Sequence, residues 1–478
     1  MVMRMTLFAV VLLAAGSPAP AQSASELLQK GIYTQETLGD LDGAIKIYKQ
    51  VLAQAKGARI YAAQAQYRLA RCYLAKGQSA EAVEAFKELI RDYPEQKELL
   101  AKAREHLPGE FKLLAEPWLN GETLQFTAKL PAGMKIGTVI WSADLVQLQG
   151  REAWRLQSRH YGMGSNALLR AFADRDAFRP SSSIIKHSQL GDIQVDYEPG
   201  QVKIKSMGKD SVRKVELEGV VYDNEQAMYL IRRLPLSVGY KSSFQVFSPL
   251  GSGTTKVALE VTGKEMVQVP AGRFECFKTE FALPVGKTLQ TFWYSTDPRR
   301  YLVKFEAGEA IAELVAIRQS SPHTSMNYRD DKFGFSLSVP GGWFFDEDEA
   351  DDKPRVAVHL LDPEAAAVNV FWIDKIGDGQ VPPESEVRAA CEKKVTERLK
   401  ELGGYRPRPE SWTSRSLGGA PAVGYVADYA EGKRPMVEYL TMVQSGSLRA
   451  TLIMRAPREQ FDGFRETFER IIESLRLK

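Results

Sequence analysis

Between Ser25 and His106 the chain has a single proline, Pro94, and is dominated by Ala, Leu, Gln, Glu and Lys; beyond Pro108-Gly109 it breaks into short alternating runs of Val, Ile, Phe and Tyr punctuated by glycine. No one kind of secondary structure serves both textures. The first buries a stripe at helical spacing, and the second buries every other residue along a strand. With 478 residues the chain also has length for roughly three cores of ordinary size. The reading is of a multidomain protein, with a leader over residues 1–21, a helical module over 22–116, an antiparallel β-rich module with one helix over 117–320, and an α/β module over 321–478.

The helical module repeats itself. Gly39 and Gly77, Ala44 and Ala82, Tyr48 and Phe86, and Leu52 and Ile90 are each 38 residues apart. The second copy resembles a tetratricopeptide repeat, with Leu69, Ala70 and Tyr73 on its first helix, Ala82, Phe86 and Leu89 on its second, and Pro94 closing it. The period exceeds the usual one by about one helical turn, which is expected at the start of the helix holding Tyr61. The resemblance implies an all-α helical repeat with a concave groove open to a protein partner. Glu26, Gln29, Tyr33 and Glu36 would line it from the first copy, and Gln64, Tyr67 and Arg71 from the second. The alternative is that these are solvated helix faces. Two copies and a last helix near 95–106 are fewer than such arrays need alone, so the module is expected to pack on a neighbour or a partner.

Within 117–320, one helix interrupts the strands. Asp223 is placed to cap it, and it runs through Met228, Leu230 and Ile231 to Leu234, before Pro235. The segments Leu236-Ser237-Val238-Gly239, Val269-Pro270-Ala271-Gly272-Arg273-Phe274, Phe292-Trp293-Tyr294-Ser295 and Asp297-Pro298-Arg299-Arg300 resemble an uncharacterised periplasmic family of LolA-like half-barrels. That resemblance implies an antiparallel β-rich half-barrel whose apolar cavity suits a lipid or acyl chain. Phe126, Trp141, Trp154, Phe244, Phe274 and Trp293 are the candidate lining, and the competing expectation is that these rings fill a core.

Residues 318–327 read as a linker. Beyond them, strands surround a helix from about Pro383 to Leu402, whose buried face is expected at Val387, Ala390, Cys391, Val395 and Leu399. With Phe333-Gly334-Phe335-Ser336-Leu337-Ser338-Val339-Pro340-Gly341-Gly342-Trp343 at its start, the module is similar to the PsbP and Mog1 type of α/β/α sandwich, and the resemblance implies a protein-docking domain. The acidic run from Asp346 to Asp352 lacks the glycine and glutamate of a Ca²⁺-binding EF-hand loop, since Asp351 and Ala357 stand in those places.

Charge and chemistry narrow the function further. The net charge is +3, divided as +1 in the leader and +1, +5 and −4 over the three modules, which excludes the basic footprint of a nucleic-acid binder. Arg4, the apolar run Leu7–Ala15 and Ala19-Pro20-Ala21 read as a cleaved signal peptide, placing the protein in the periplasm or outside, and no later segment has the length and apolarity of a membrane span. Cys72, Cys276 and Cys391 fall one to a module and are read as buried thiols. The five histidines show no metal-ligand spacing, and no cofactor motif is present, so neither a metal nor a cofactor is expected. Ser165 lacks the flanking glycines of a nucleophile elbow. The expectation is an exported, non-catalytic binding or scaffold protein. One alternative is a carrier of an apolar ligand. The other is an unrecognised hydrolase, for which His160, Ser165 and Asp174 are a conceivable set.

Overall fold

The computed structural model describes residues 23–54, 57–76, 78–104, 106, 113–162, 165–206, 211–251, 253–282, 289–319, 324–347, 355–376 and 379–477. The leader and residues 348–352 of the acidic run lie outside them. The chain divides into two compact units, Met1–Pro108 and Gly109–Lys478.

The first unit contains α1 (Ala24–Glu36), α2 (Leu41–Gln54), α3 (Arg59–Ala75), α4 (Ser79–Asp92) and α5 (Lys97–Arg104). Ser23 and Glu26 form a reciprocal capping box at the start of α1. Gly39, at φ 67°, turns the chain toward α2 in a conformation that favours glycine. Helix α3 has 17 residues against 13 in α1, and this is the extra turn that the long repeat period requires. Tyr48 of α2 is wholly buried, and its hydroxyl donates to Gln35 Oε1 at 2.7 Å. It fits there because Gly31 of α1 has no side chain: a Cβ on Gly31 would stand 2.6 Å from the Tyr48 ring. Phe86, one repeat later, is likewise wholly buried, against Tyr67 and His106.

In the second unit the first half of the β-rich region is an up-and-down run: β1 (Glu122–Lys129), β2 (Lys135–Leu148), β3 (Arg151–Gly162), β4 (Ser165–Asp174), β5 (Pro180–His187), β6 (Gly191–Glu198), β7 (Gln201–Ser206) and β8 (Val212–Glu216). The second half is β9 (Val221–Asp223), α6 (Asn224–Arg232), β10 (Lys241–Ser248), β11 (Gly253–Val269), β12 (Gly272–Ala282), β13 (Leu289–Ser295), β14 (Leu302–Ala307) and β15 (Ala310–Gln319). Each strand pairs with its neighbour in sequence, and β1 pairs with β15, so the two halves join into one sheet ending in β8 on one side and β9 on the other. The pairing is antiparallel except between β9 and β10, which run parallel. A parallel pair needs a crossover, and α6 provides it.

Helix α6 is buried on nearly every side. Asp223 caps it, as its place before the helical run predicts, with Gln226 completing a capping box. At the other end Arg232, 2% exposed, donates to both carboxylate oxygens of Glu122 at 2.6 and 3.2 Å and to the Arg299 carbonyl at 2.8 Å. The rings of Trp118, Tyr229 and Tyr301 surround its guanidinium at 5.3 to 5.9 Å.

In the C-terminal module a sheet orders strands Phe344–Glu347, Arg355–Leu361, Val368–Lys375, Leu448–Pro457, Arg434–Ser445 and Ala420–Glu431 side by side. Helix α7 (Glu384–Glu401) packs with Tyr425, Met436 and Leu440 on one face, while α8 (Phe461–Ser474) packs with Val426, Val437 and Tyr439 on the other. One expectation fails on α7. Leu399 is 54% exposed, and Arg398 turns inward instead, toward the wholly buried Glu438 at 3.6 Å. Exposing one leucine costs about 1.5–3 kcal/mol, while turning Arg398 outward would leave the buried Glu438 carboxylate with one cation fewer. Glu438 also takes Arg455 at 3.0 Å and the Tyr405 hydroxyl at 2.9 Å.

The two β-containing modules meet chiefly through β1 to β5. Ile140, Tyr161 and Leu168 pack with Phe344, Leu361 and Ala365. Asp346 accepts Thr138 at 2.6 Å and pairs with Lys135 at 2.8 Å, while Glu364 holds Arg170 and Lys186.

Two outcomes test this packing. Gly31→Ala gains about 1 kcal/mol of helix propensity but overpacks a fully buried ring, so urea denaturation followed by far-UV circular dichroism is expected to show a net loss of about 1–2 kcal/mol. Arg232→Met alone, which strands Glu122 in the interior, is expected to cost about 3–5 kcal/mol, and adding Glu122→Leu is expected to recover most of it; equal losses in the single and double variants would show that the pair is not what matters there.

Candidate functional site

In the first unit the first helices of successive hairpins, α1, α3 and α5, enclose a concave cavity of about 760 Å³. Four of the seven expected groove residues line it: Glu36 from α1 and Gln64, Tyr67 and Arg71 from α3. Their spacing on α3 places them on one helix face. Glu26, Gln29 and Tyr33 are exposed on α1 but do not line the cavity; Glu26 is engaged in the α1 cap. The far wall comes from α5 and the turn before it, with Gln96, Lys97, Glu98, Leu99 and Lys102. The sequence reading missed that wall because α5 has no second copy to align with; its signal was the helical run after Pro94.

Two of the three groove carboxylates are already paired, Glu36 with Arg68 at 2.7 Å and Glu95 with Arg59 at 2.8 Å. Ile60, 51% exposed, and the half-buried Tyr67 and Leu99 give the groove apolar surface between its charges. This arrangement suits an extended polypeptide, with side chains set on the apolar patches and charges on the rim.

The six rings named for an apolar cavity take different places. Phe126 and Trp141 meet at 5.5 Å and stack into a cluster with Phe305, Phe292 and Phe281. Trp154 touches Trp118, which also contacts Phe178 and Tyr229 of the α6 region. Phe244 packs on Tyr222. Trp293, next to Phe292 in β13, faces the opposite way beneath Lys304, and Phe274 is half-buried at the edge of the core. Tyr229 of α6 reaches into this cluster, 5.3 Å from Trp118 and 6.5 Å from Trp141.

Of the conceivable hydrolase set, His160 lies opposite Ala167 in the β3–β4 ladder, Ser165 opposite Gly162, and Asp174 opposite Ala153, seven residues from His160 along β3. The structure therefore does not bring the three together. His160 meets Ser158 instead, at 2.9 Å between Oγ and Nε2. Ser158 is wholly buried and also lies against Glu225 of α6. Burial pushes the Glu225 carboxyl up to about 8 and the His160 imidazole down to about 4, so both are neutral near pH 7. Among the described residues, no group of three or more His, Cys, Asp or Glu side chains is placed to hold a metal ion. No helix among them is long and apolar enough to cross a membrane.

Residues 37–107 match the tetratricopeptide repeat family, and residues 124–316 match a family described as a protein of unknown function, DUF3108. No curated protein matches the chain. Among solved structures it is similar to cyanobacterial PsbP from Synechocystis sp. PCC 6803, with 13% identity over 33% of this chain and 95% of that one, at a TM-score of 0.28. It is also similar to a β-barrel-like protein of domain of unknown function DUF1849 from Brucella abortus, with 9% identity over 42% of this chain and 98% of that one, at 0.30. LpqN of Mycobacterium tuberculosis, described as involved in cell envelope biogenesis, gives 16% over 32% and 91%, at 0.24. None of these scores is high enough to bear on function. The first unit thus resembles a tetratricopeptide repeat in its 38-residue pattern, and residues 37–107 match that family.

The neutral pair around Ser158 gives the second unit a pH signature. The folded chain binds the Glu225 proton more tightly than the unfolded one does, so this group makes stability fall as pH rises from about 4.5 to about 8. His160, held neutral, acts oppositely and makes stability fall as pH drops from about 6.5 toward about 4. The two offset each other at mildly acidic pH, leaving the loss due to Glu225 visible above about 6.5. Glu225→Gln is expected to flatten the fall between about 6.5 and about 8 in denaturation curves taken across pH. Superimposable curves for the two chains would mean that Glu225 does not titrate there.

Proposed function

We propose that this chain is an exported, non-catalytic binding protein of the periplasm or exterior, and that its helical groove takes a segment of a partner protein. The observation that carries the reading is the cavity between α1, α3 and α5, which collects Glu36, Gln64, Tyr67 and Arg71 on one wall. The leader pattern around Arg4, Leu7–Ala15 and Ala19-Pro20-Ala21 supports export. The sequence resemblance of residues 321–478 to the PsbP and Mog1 type implies a second contact surface on the same chain. The carrier reading rests on the likeness of residues 117–320 to LolA-like half-barrels. It is the weaker of the two, because α6 and five of the six candidate rings are buried in one apolar cluster, and α6 is fastened there by its buried Arg232.

The test is site-specific photo-crosslinking in the native host. A photoreactive residue at Gln64, inside the groove, is expected to give a discrete protein adduct, while one at Lys49, exposed on α2 and away from the cavity, is not. Adducts of equal yield at both positions, or none at Gln64, would overturn the proposal.

A further inference from the structure

We propose that the groove selects an acidic segment with a bulky apolar residue, a choice that rests on the groove being a peptide site at all. The ground is the charge left over after internal pairing. Glu36 and Glu95 are neutralised by Arg68 and Arg59, leaving Glu98 as the one lining carboxylate with no ion pair among the described residues. Against it stand Arg71 on α3 and Lys97 and Lys102 on α5, all exposed and none in an ion pair among the described residues. The cations therefore sit on two facing walls of the cavity, and the apolar surface of Ile60, Tyr67 and Leu99 belongs to the same walls. A segment entering this space meets net positive potential, while its own apolar side chain finds a surface to leave water against. A basic segment would be repelled from both walls, and a neutral one would gain only the apolar contact. Over residues 22–108 the first unit holds 13 basic and 11 acidic residues, and Arg71, Lys97 and Lys102 against Glu98 set a surplus of that same size within the groove.

The experiment is selection from a phage-displayed library of random dodecapeptides on the full chain, with counter-selection on its Tyr67→Ala variant to discard peptides bound elsewhere. Enriched peptides are expected to carry net negative charge and an aromatic or aliphatic residue. Their affinity, read by fluorescence anisotropy, is expected to fall at least about tenfold in Arg71→Glu/Lys97→Glu/Lys102→Glu and to weaken with added salt. The three positions are exposed, so the variant is expected to fold as the parent does, and circular dichroism checks this; Arg71→Gln/Lys97→Gln/Lys102→Gln should lose affinity to a smaller degree. Enrichment of neutral or basic peptides that depend on Tyr67 would overturn the acidic preference and leave the groove reading standing. If no peptide survives counter-selection, both fall.

Discussion

The second unit depends on the ion pair between Arg232 and Glu122. The chain turns back into its sheet through the parallel pair β9–β10, and the crossover that makes this possible is α6. A helix so placed must lose water on almost all sides. Arg232 sits in its last turn, where a cation complements the helix dipole, and Glu122 opens β1, the strand that pairs with both β2 and β15. One contact therefore fixes the helix to the strand at which the two halves of the sheet join. The aromatic rings around the guanidinium keep water from the pair, and this same shielding is what makes an unmatched partner expensive.

What the sequence disclosed and what it hid divide along a physical line. Periodicity reports burial within a few residues, so the repeat, the extra turn in α3, the Asp223 cap and the change from helix to strand were all legible. Arg398 was not: nothing in the pattern around Leu399 announces that a wholly buried Glu438, forty residues on, will rotate the helix toward itself. The pairing of β1 with β15 and the Arg232–Glu122 contact, which spans 110 residues, are equally invisible to a local reading. The groove shows both sides of this limit. Its α3 wall could be read from a repeat with a recognisable pattern, while its α5 wall belongs to a helix with no counterpart to compare.

The contact between the β-rich sheet and the C-terminal module leaves its mark on the strands that make it. Strands with one face in a core and the other in water alternate cleanly, but β2 and β4 bury residues on both faces, because Ile140 and Leu168 turn outward against Phe344 and Leu361. The two faces of these strands thus serve two cores at once. Beyond residue 108 the chain behaves as one compact unit for this reason, although its sequence contains two textures.

The polar contacts in that seam do a different job from the apolar ones. Ile140, Leu168, Phe344 and Leu361 would tolerate a sliding contact, since apolar attraction has no direction. Asp346 would not. It is buried, and a shift that separated it from Thr138 and Lys135 would leave a desolvated carboxylate with only His359 of its own module beside it. Glu364, reached by Arg170 from β4 and Lys186 from β5, adds a second fixed point. Two such points and the Tyr161 hydroxyl on the Asp362 carbonyl determine how the modules meet, and the apolar cluster between them supplies the attraction. The same division holds around α6, where the rings fill the interior and the Arg232 pair selects one position for the helix within it.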